Sequence, residues 1–447
     1  MTKKNLTMKI FLLLLSTVLL LNSPIHSQPQ IKSDSLLQNG TLQNCVQYAL
    51  EHQPQIQQTL IDEQITDREI NSKLADWYPQ INFNFNIIHD YQLPVTIFEG
   101  SGAVVGVKDN SSGLFSVTQN IFNRDVLLAS TTAGDVRKQA KQITTNNKIS
   151  VIIDVSKAFY AVLLAQDQID LINEDITRLE KSSKDTYNQY ISGVVDKTDY
   201  MRASITLNNA LAEKKQDDEF LKVSKAQLKQ LMGYPPDGDL KLDYDRAQMA
   251  NDVFIDTTQN IVYENRIEYQ LLQTQKRLQE ANLNYYEWSF IPSISAFGEY
   301  NLNYQDDQWS KLYNINYPSS YIGIELTFPI FTGGKRIQEI DQAELELKRF
   351  EYNFASLKDS FNTEYTQVLA NYKSDLNNYY VQKNNLELAR EVYNIIQLQY
   401  KSGFKTYLDV ITAETDLRTT QVNYITSLYR VLSSKLDVQK ALGTIKY

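Results

Sequence analysis

One cysteine, Cys45, and three histidines, His26, His52 and His89, are the only thiol and imidazole groups in 447 residues. A single thiol excludes a disulfide framework and any multi-cysteine metal site. Three histidines leave little for metal ligation or for acid–base chemistry near neutral pH. Glycine (15) and proline (10) are sparse, and so few breakers in so long a chain predict long uninterrupted helices. Cations are outnumbered, 44 against 53 acids for a net charge of −9, which argues against a nucleic-acid partner. Thr332-Gly333-Gly334-Lys335-Arg336 begins like a phosphate-cradling loop but lacks that motif's second half, and a strand-to-helix corner explains it better. No usual catalytic constellation can be assembled from this inventory, so no catalytic, cofactor or metal residues are expected. Beyond residue 21 no run of eighteen apolar residues occurs, which leaves no second candidate membrane helix. A membrane β-strand escapes that test, because about ten alternating residues suffice for one.

What is present starts with an address. Lys3, Lys4 and Lys9 precede the apolar run Ile10 to Leu21, followed by Asn22, Pro24 and Ser27. That order predicts a secretory signal over residues 1–27, cleaved near Ser27, with an uncleaved anchor as the alternative. Met8 serves equally well as the start. Without those residues 41 cations face 53 acids, a net charge of −12.

A repeat organises the rest. Gln189-Tyr190-Ile191-Ser192-Gly193 matches Gln399-Tyr400-Lys401-Ser402-Gly403, and the same offset of 210 brings Asp199 onto Asp409 and Ala203 onto Ala413. Nearby offsets align Ile121-Phe122 with Ile330-Phe331 and Pro79 with Pro292. Landmarks in one order at nearly constant spacing indicate a tandem duplication. The first repeat is placed at 28–236, an irregular connection at 237–258 and the second repeat at 259–447. Each repeat reads helix, strand, loop, strand, very long helix, tight turn, helix.

Ile152, Val155, Phe159, Val162, Ile169, Ile172, Ile176 and Leu179 make a heptad-like seam in the first long helix, expected over about Arg124 to Tyr190. Ile340, Ala343, Leu347, Phe350, Phe354, Leu357 and Phe361 make the equivalent seam in the second. Taken alone, such seams fit a coiled-coil rod. Strands are expected at about 80–91, 113–122, 293–304 and 319–328. Ile81, Phe83, Phe85 and Ile87 alternate with Asn82, Asn84 and Asn86, and Ile322, Ile324 and Leu326 alternate with Gly323 and Glu325. A period of two with one apolar and one uncharged or acidic face suits a water-filled barrel in lipid, and equally a soluble sheet with one wet face. Trp77, Tyr78, Trp288, Tyr313, Tyr317 and Tyr321 crowd the strand ends, where interfacial girdles are expected. These aromatics and the export signal favour the barrel. Four strands cannot close one, and open edges in lipid would cost several kcal/mol for each unpaired group, so several chains must share it.

With Leu231-Met232-Gly233 and Ala441-Leu442-Gly443 closing the repeats, Asp76-Trp77-Tyr78-Pro79 entering a strand and Phe328-Pro329-Ile330-Phe331-Thr332-Gly333-Gly334 leaving one, nearly the whole chain resembles the TolC family of outer-membrane efflux channels. The resemblance implies a mainly α fold with a small transmembrane β part. It implies a homotrimer whose twelve-stranded barrel, four strands per chain, sits in outer-membrane lipid on a periplasmic α-helical barrel. It implies export with a periplasmic adaptor and an inner-membrane pump, and no catalysis. By similarity Asp199, Tyr400 and Lys405 match gate residues, and Asp409 an acid ringing the constriction. Lysine at 405, where the family often has arginine, loses bidentate geometry, and Thr412 replaces a further acid. Ser192, Gly193, Val194 and Val195, with Ser402, Gly403 and Phe404, are the turns that the resemblance places at the adaptor. Both aspartates also suit a second role, stabilising helix N-termini. A non-pore coiled-coil protein of the envelope remains the alternative function.

Overall fold

The computed structural model describes Leu37 and residues 39–446, residue 99 excepted. The signal expected over residues 1–27 lies outside the described residues. In the first repeat α1 (Leu42–His52) and α2 (Pro54–Leu74) lead through the turn Ala75–Trp77 into β1 (Gln80–His89). A ribbon of β2 (Val95–Phe98) and β3 (Ser101–Val104) precedes β4 (Asp109–Phe122), and α3 (Arg124–Ile191) and α4 (Lys197–Met232) follow. After α5 (Arg246–Asn251) the second repeat runs α6 (Ile267–Glu287), β5 (Ser293–Asp306), β6 (Ser319–Thr327), α7 (Lys335–Lys401) and α8 (Tyr407–Leu442). At 68 residues α3 is about 100 Å long.

Four of the strands form one antiparallel sheet in the order β1-β4-β5-β6, and the β4–β5 pairing joins its two halves edge to edge. The β2–β3 ribbon has no counterpart in the alternation read from the sequence, because each of its strands is only four residues long.

Local chemistry starts and stops the helices. Asn123 and Asp196 accept hydrogen bonds from the first-turn amides of α3 and α4, and Thr406 forms a reciprocal capping box with Asp409 on α8. The seam of α3 is buried along its whole length, against α4 and α8 among others. Among the described residues α3 is also the helix with a stretch apolar enough to cross a membrane, but 61% of that stretch is buried in the bundle, as a core helix requires. The seam of α7 behaves differently. Of its 67 residues only Ala343, Phe361, Tyr372 and Tyr379 are buried. It packs chiefly on α6 and α8, where Ile340, Leu347, Phe350, Phe354 and Leu357 of the seam are half-buried, while Leu345, Tyr352, Leu388 and Leu398 stand exposed.

Two helix-ending glycines are packed alike. Gly233 ends α4 at φ +67° and Gly443 ends α8 at φ +68°. A Cβ on Gly233 would sit 2.7 Å from the His52 carbonyl oxygen, and one on Gly443 would sit 2.8 Å from that of Asn265. At the turn glycine Gly193 (φ +71°) a Cβ would meet nothing within 4 Å. Gly193→Ala is therefore expected to cost only the left-handed conformation, about 1 kcal/mol. Gly233→Ala adds a backbone clash and is expected to cost clearly more, read as the larger fall in thermal unfolding midpoint.

Candidate functional site

Cross-strand register decides which residues share a face of the sheet. Ile81 pairs with Val117, Val117 with Gly298 and Gly298 with Ile322. Phe83 pairs with Phe115 and Phe115 with Tyr300, while Ala296 pairs with Ile324 and Ile294 with Leu326. These rows put Ile81, Phe83, Phe85, Ile87, Val117, Tyr300, Ile322, Ile324 and Leu326 on one apolar face, and all nine are exposed. The opposite face carries the rows Asn82–Ser116–Glu299–Tyr321 and Asn84–Leu114–Asn301–Ser319, with Glu325 beside Ser295. No lysine or arginine occurs in any of the four strands. β1 and β6 each pair along one side only. A naked apolar face and two bare edges are tolerable together only when lipid covers the face and other strands cover the edges.

Most of the expected girdle residues sit at the two ends of these strands. Trp77 donates its indole N–H to Ser130 Oγ at 2.7 Å, beside exposed Tyr78, and Trp288 opens the equivalent turn before β5. At the far end Tyr313 is 3.1 Å from Ser111 Oγ and packs 5.1 Å from the Tyr304 ring, with Tyr317 exposed nearby. Tyr321 needs correcting. It stands on the polar face, where its hydroxyl donates to Glu299, because its register partner there is that glutamate.

At the opposite end of the long helices, two turns reverse the chain. Val194 N donates to Gln189 O at 2.8 Å and Phe404 N to Gln399 O at 2.9 Å, each across a left-handed glycine, Gly193 or Gly403. This is the helix-ending motif that glycine makes cheap. Val194, at 72% exposure, and Phe404, at 83%, are left projecting, while Ser192 and Ser402 bond back to their own helices. Val195 joins Tyr400, Lys405 and Tyr407 around a groove of about 680 Å³ between the two turns.

The four expected gate residues are near one another but do not form a single bonded set. Tyr400 reaches Gln189 Oε1 at 3.4 Å. Burial, then the Asp199 charge, pushes its phenol above the ordinary range. Lys405, just before the Thr406 cap of α8, pairs at 3.7 Å with Asp409 in the first turn of that helix. Asp409 Oδ2 meanwhile accepts from the Thr406 amide at 2.9 Å and hydroxyl at 2.8 Å. Those bonds, and more weakly Lys405, hold its carboxyl below the usual range. Helix capping is thus visible for Asp409 within one chain. Thr412 bonds back to Leu408 O.

Two buried charge clusters brace the bundle above the turns. Asp175 on α3 meets Arg178 and, at 3.2 Å, Arg418. Arg178 also reaches Glu414 at 3.3 Å, and Arg418 reaches Glu213, so α3, α4 and α8 are tied together. Burial pushes the Glu414 carboxyl up while Arg178 pulls it down. Higher on α3, Asp167 is fully buried. It accepts from Tyr244 at 2.9 Å, Tyr429 at 2.8 Å and Arg246 Nε at 3.1 Å, which ties the inter-repeat connection to α3 and α8. No sequence pattern announces this cluster, because its members are separated by 77 to 262 positions.

Residues 45–234 and 268–444 match the family described as outer membrane efflux protein. The chain belongs to that family. The two matched blocks of this efflux protein leave residues 235–267 between them. Outer membrane protein TolC of Escherichia coli is 22% identical over 433 residues, covering 92% of this chain and 84% of TolC. The probable efflux pump outer membrane protein TtgC of Pseudomonas putida is 21% identical over 309 residues, 68% of this chain and 62% of TtgC. The crystal structure of VceC from Vibrio cholerae superposes with a TM-score of 0.72 at 14% identity, over 90% of this chain and 96% of that one. A membrane protein from Pseudomonas aeruginosa does so at 0.74 and 17% identity, over 94% and 99%. Family, fold and sheet chemistry agree on an outer-membrane efflux protein.

Proposed function

We propose that three copies of the chain form one passive exit duct through the outer membrane, continued into the periplasm by the long helices and closed at the helical turns. One observation carries this reading: each subunit has a four-stranded sheet with an apolar face, a polar face and two unpaired edges. Two copies would give eight strands, a barrel whose interior side chains fill, so three is the smallest number that leaves a lumen. The exposed flank of α7 supports the same assembly, since a neighbouring bundle would cover it. In this arrangement the turns Ser192–Val195 and Ser402–Phe404 face a periplasmic adaptor, which couples the duct to an inner-membrane pump of an efflux or type I secretion system. Asp199, Tyr400, Lys405 and Asp409 restrict the lower opening. The chain carries out no chemistry on what passes.

The test is the mass of the detergent-purified protein together with its single-channel conductance in planar bilayers. A three-chain particle that conducts is expected. A water-soluble monomer without conductance overturns the reading. The barrel should also prefer cations, because its polar face holds Glu299 and Glu325 and no positive strand residue. Glu299→Gln with Glu325→Gln is expected to shift the reversal potential in a KCl gradient towards zero. An unchanged potential would move the selectivity away from the barrel.

A further inference from the structure

The charge cluster that ties α3, α4 and α8 above the turns is short of positive charge. Asp175, Glu213, Asp217 and Glu414 gather around two guanidiniums, those of Arg178 and Arg418. The two buried carboxylates fare unequally. Asp175, its side chain 3% exposed, meets both arginines. Glu414, 14% exposed, accepts one hydrogen bond among the described residues, from Arg178 Nε at a long 3.3 Å. A carboxylate away from water needs several donors to stay charged, and Glu414 lacks them.

Glu414 also lies where movement would be felt. It lines the groove of about 680 Å³ between the two turns, beside Arg178, Tyr393 and Tyr407. Beyond Tyr379 no residue of α7 is buried, so the lower part of this hairpin is held to the first repeat chiefly through α8. At this level α8 meets α3 through Arg178–Glu414, Asp175–Arg418 and the Ser182–Tyr407 hydroxyl pair at 2.8 Å. Parting the hairpins would let water reach Glu414.

The other groups facing the groove leave the response to Glu414. Burial pushes the phenols of Tyr393 and Tyr400 on α7 and of Tyr407 on α8 above their ordinary range. Lys181 and Asp185 of α3, Lys401 of α7 and Lys405 are exposed, where water and salt screen them. Asp409 is held below the usual carboxylate range by its bonds to Thr406 and stays ionised. On α4, burial and then the Glu213 charge push Asp217 up, in the same direction as Glu414. Burial pushes the Glu414 carboxyl up against the pull of Arg178. A groove opened to water would return it towards the ordinary value of about 4.3. The shut form therefore holds the proton more tightly, and falling pH favours the form that does so.

We propose that Glu414 and its neighbours form an acid-responsive latch on the duct: a proton taken up there relieves the crowding of carboxylates, draws α8 onto α3 and α4, and narrows the opening at the turns. The latch rests on the duct reading above. It works inside each subunit, apart from Asp199 and Tyr400.

The experiment carries the full chain in planar bilayers from about pH 7.5 to about pH 5 at constant KCl. The single-channel current of wild type is expected to fall about tenfold, the change that about one unit between shut and open values permits. Glu414→Gln, neutral at every pH, should show the low current already at the higher pH and little further fall. Arg178→Gln removes the group that pulls the carboxyl down, so its response should begin at a higher pH. An acid response in Glu414→Gln as large as in wild type overturns the proposal, as does a larger current than wild type at the higher pH. Amide hydrogen exchange over residues 407–418, corrected for the intrinsic rate, reads the same latch without flow. Protection should rise in acid in wild type and not in Glu414→Gln, and equal behaviour of the two overturns the latch even where channels conduct. A wild type that never conducts refutes the duct, whereas protection that rises in acid and is lost in Glu414→Gln still upholds the coupling of α8 to the cluster.

Discussion

Asp167→Ala is expected to lower the free energy of unfolding by about 3 kcal/mol, the scale of breaking a buried ion pair from one side. The carboxylate is fully buried and its removal strands the Tyr429 hydroxyl, the Tyr244 hydroxyl and the Arg246 guanidinium. The arginine side chain is 46% exposed, so water recovers part of its loss. The two phenols, and Tyr429 above all, carry most of the penalty. Asp167→Asn keeps an acceptor oxygen for one phenol and is expected to cost less than alanine. Chemical denaturation of the detergent-solubilised protein measures both. Equal losses below 1 kcal/mol for the two variants would reject the brace. Burial, then the nearby Asp167 charge, pushes the Tyr244 phenol up to about 12 and that of Tyr429 higher still. A phenol whose proton is held more tightly when folded adds stability that is complete below the unfolded value of about 10. That contribution is lost as pH rises through the folded values. On the alkaline side the phenols should therefore let the brace loosen only at high pH.

The second large effect is on flow. Asp199→Ala combined with Tyr400→Phe is expected to raise single-channel conductance several-fold. Within one chain Tyr400 holds only Gln189, at a long 3.4 Å, while the Asp199 charge already acts on its phenol. The pair is therefore arranged near contact without being locked, as a latch between neighbouring hairpins requires. Lys405→Ala alone should matter less, because its visible partner Asp409 is a half-exposed neighbour 3.7 Å away and only four residues on, and such pairs contribute little. Conductance unchanged in the double variant would reject the gate assignment.

The helices and strands were legible because they rest on periodicity. The α3 seam and the Ile81–Ile87 alternation each involve near neighbours in sequence, and the two glycine turns repeat at a fixed offset. The facing of Tyr321 was not legible, because register with Glu299 on another strand decides it. The Asp167 brace was hidden for the same reason: its partners arrive from the inter-repeat connection and from the last helix. Asp409 shows a third case. Its two readings, gate acid and helix cap, use the same position in the first turn, and a single chain displays only the cap.

The unpaired rims of β1 and β6 govern how the protein must be made. In the proposed three-chain duct a lone subunit cannot enter the bilayer with bare backbone, so entry and assembly are one event whose rate climbs steeply with the number of chains available. Until partners arrive the greasy face needs an escort in the envelope fluid. A copy damaged only at such a rim would also spoil the intact copies it joins, so in a cell making both forms the defect should behave as genetically dominant.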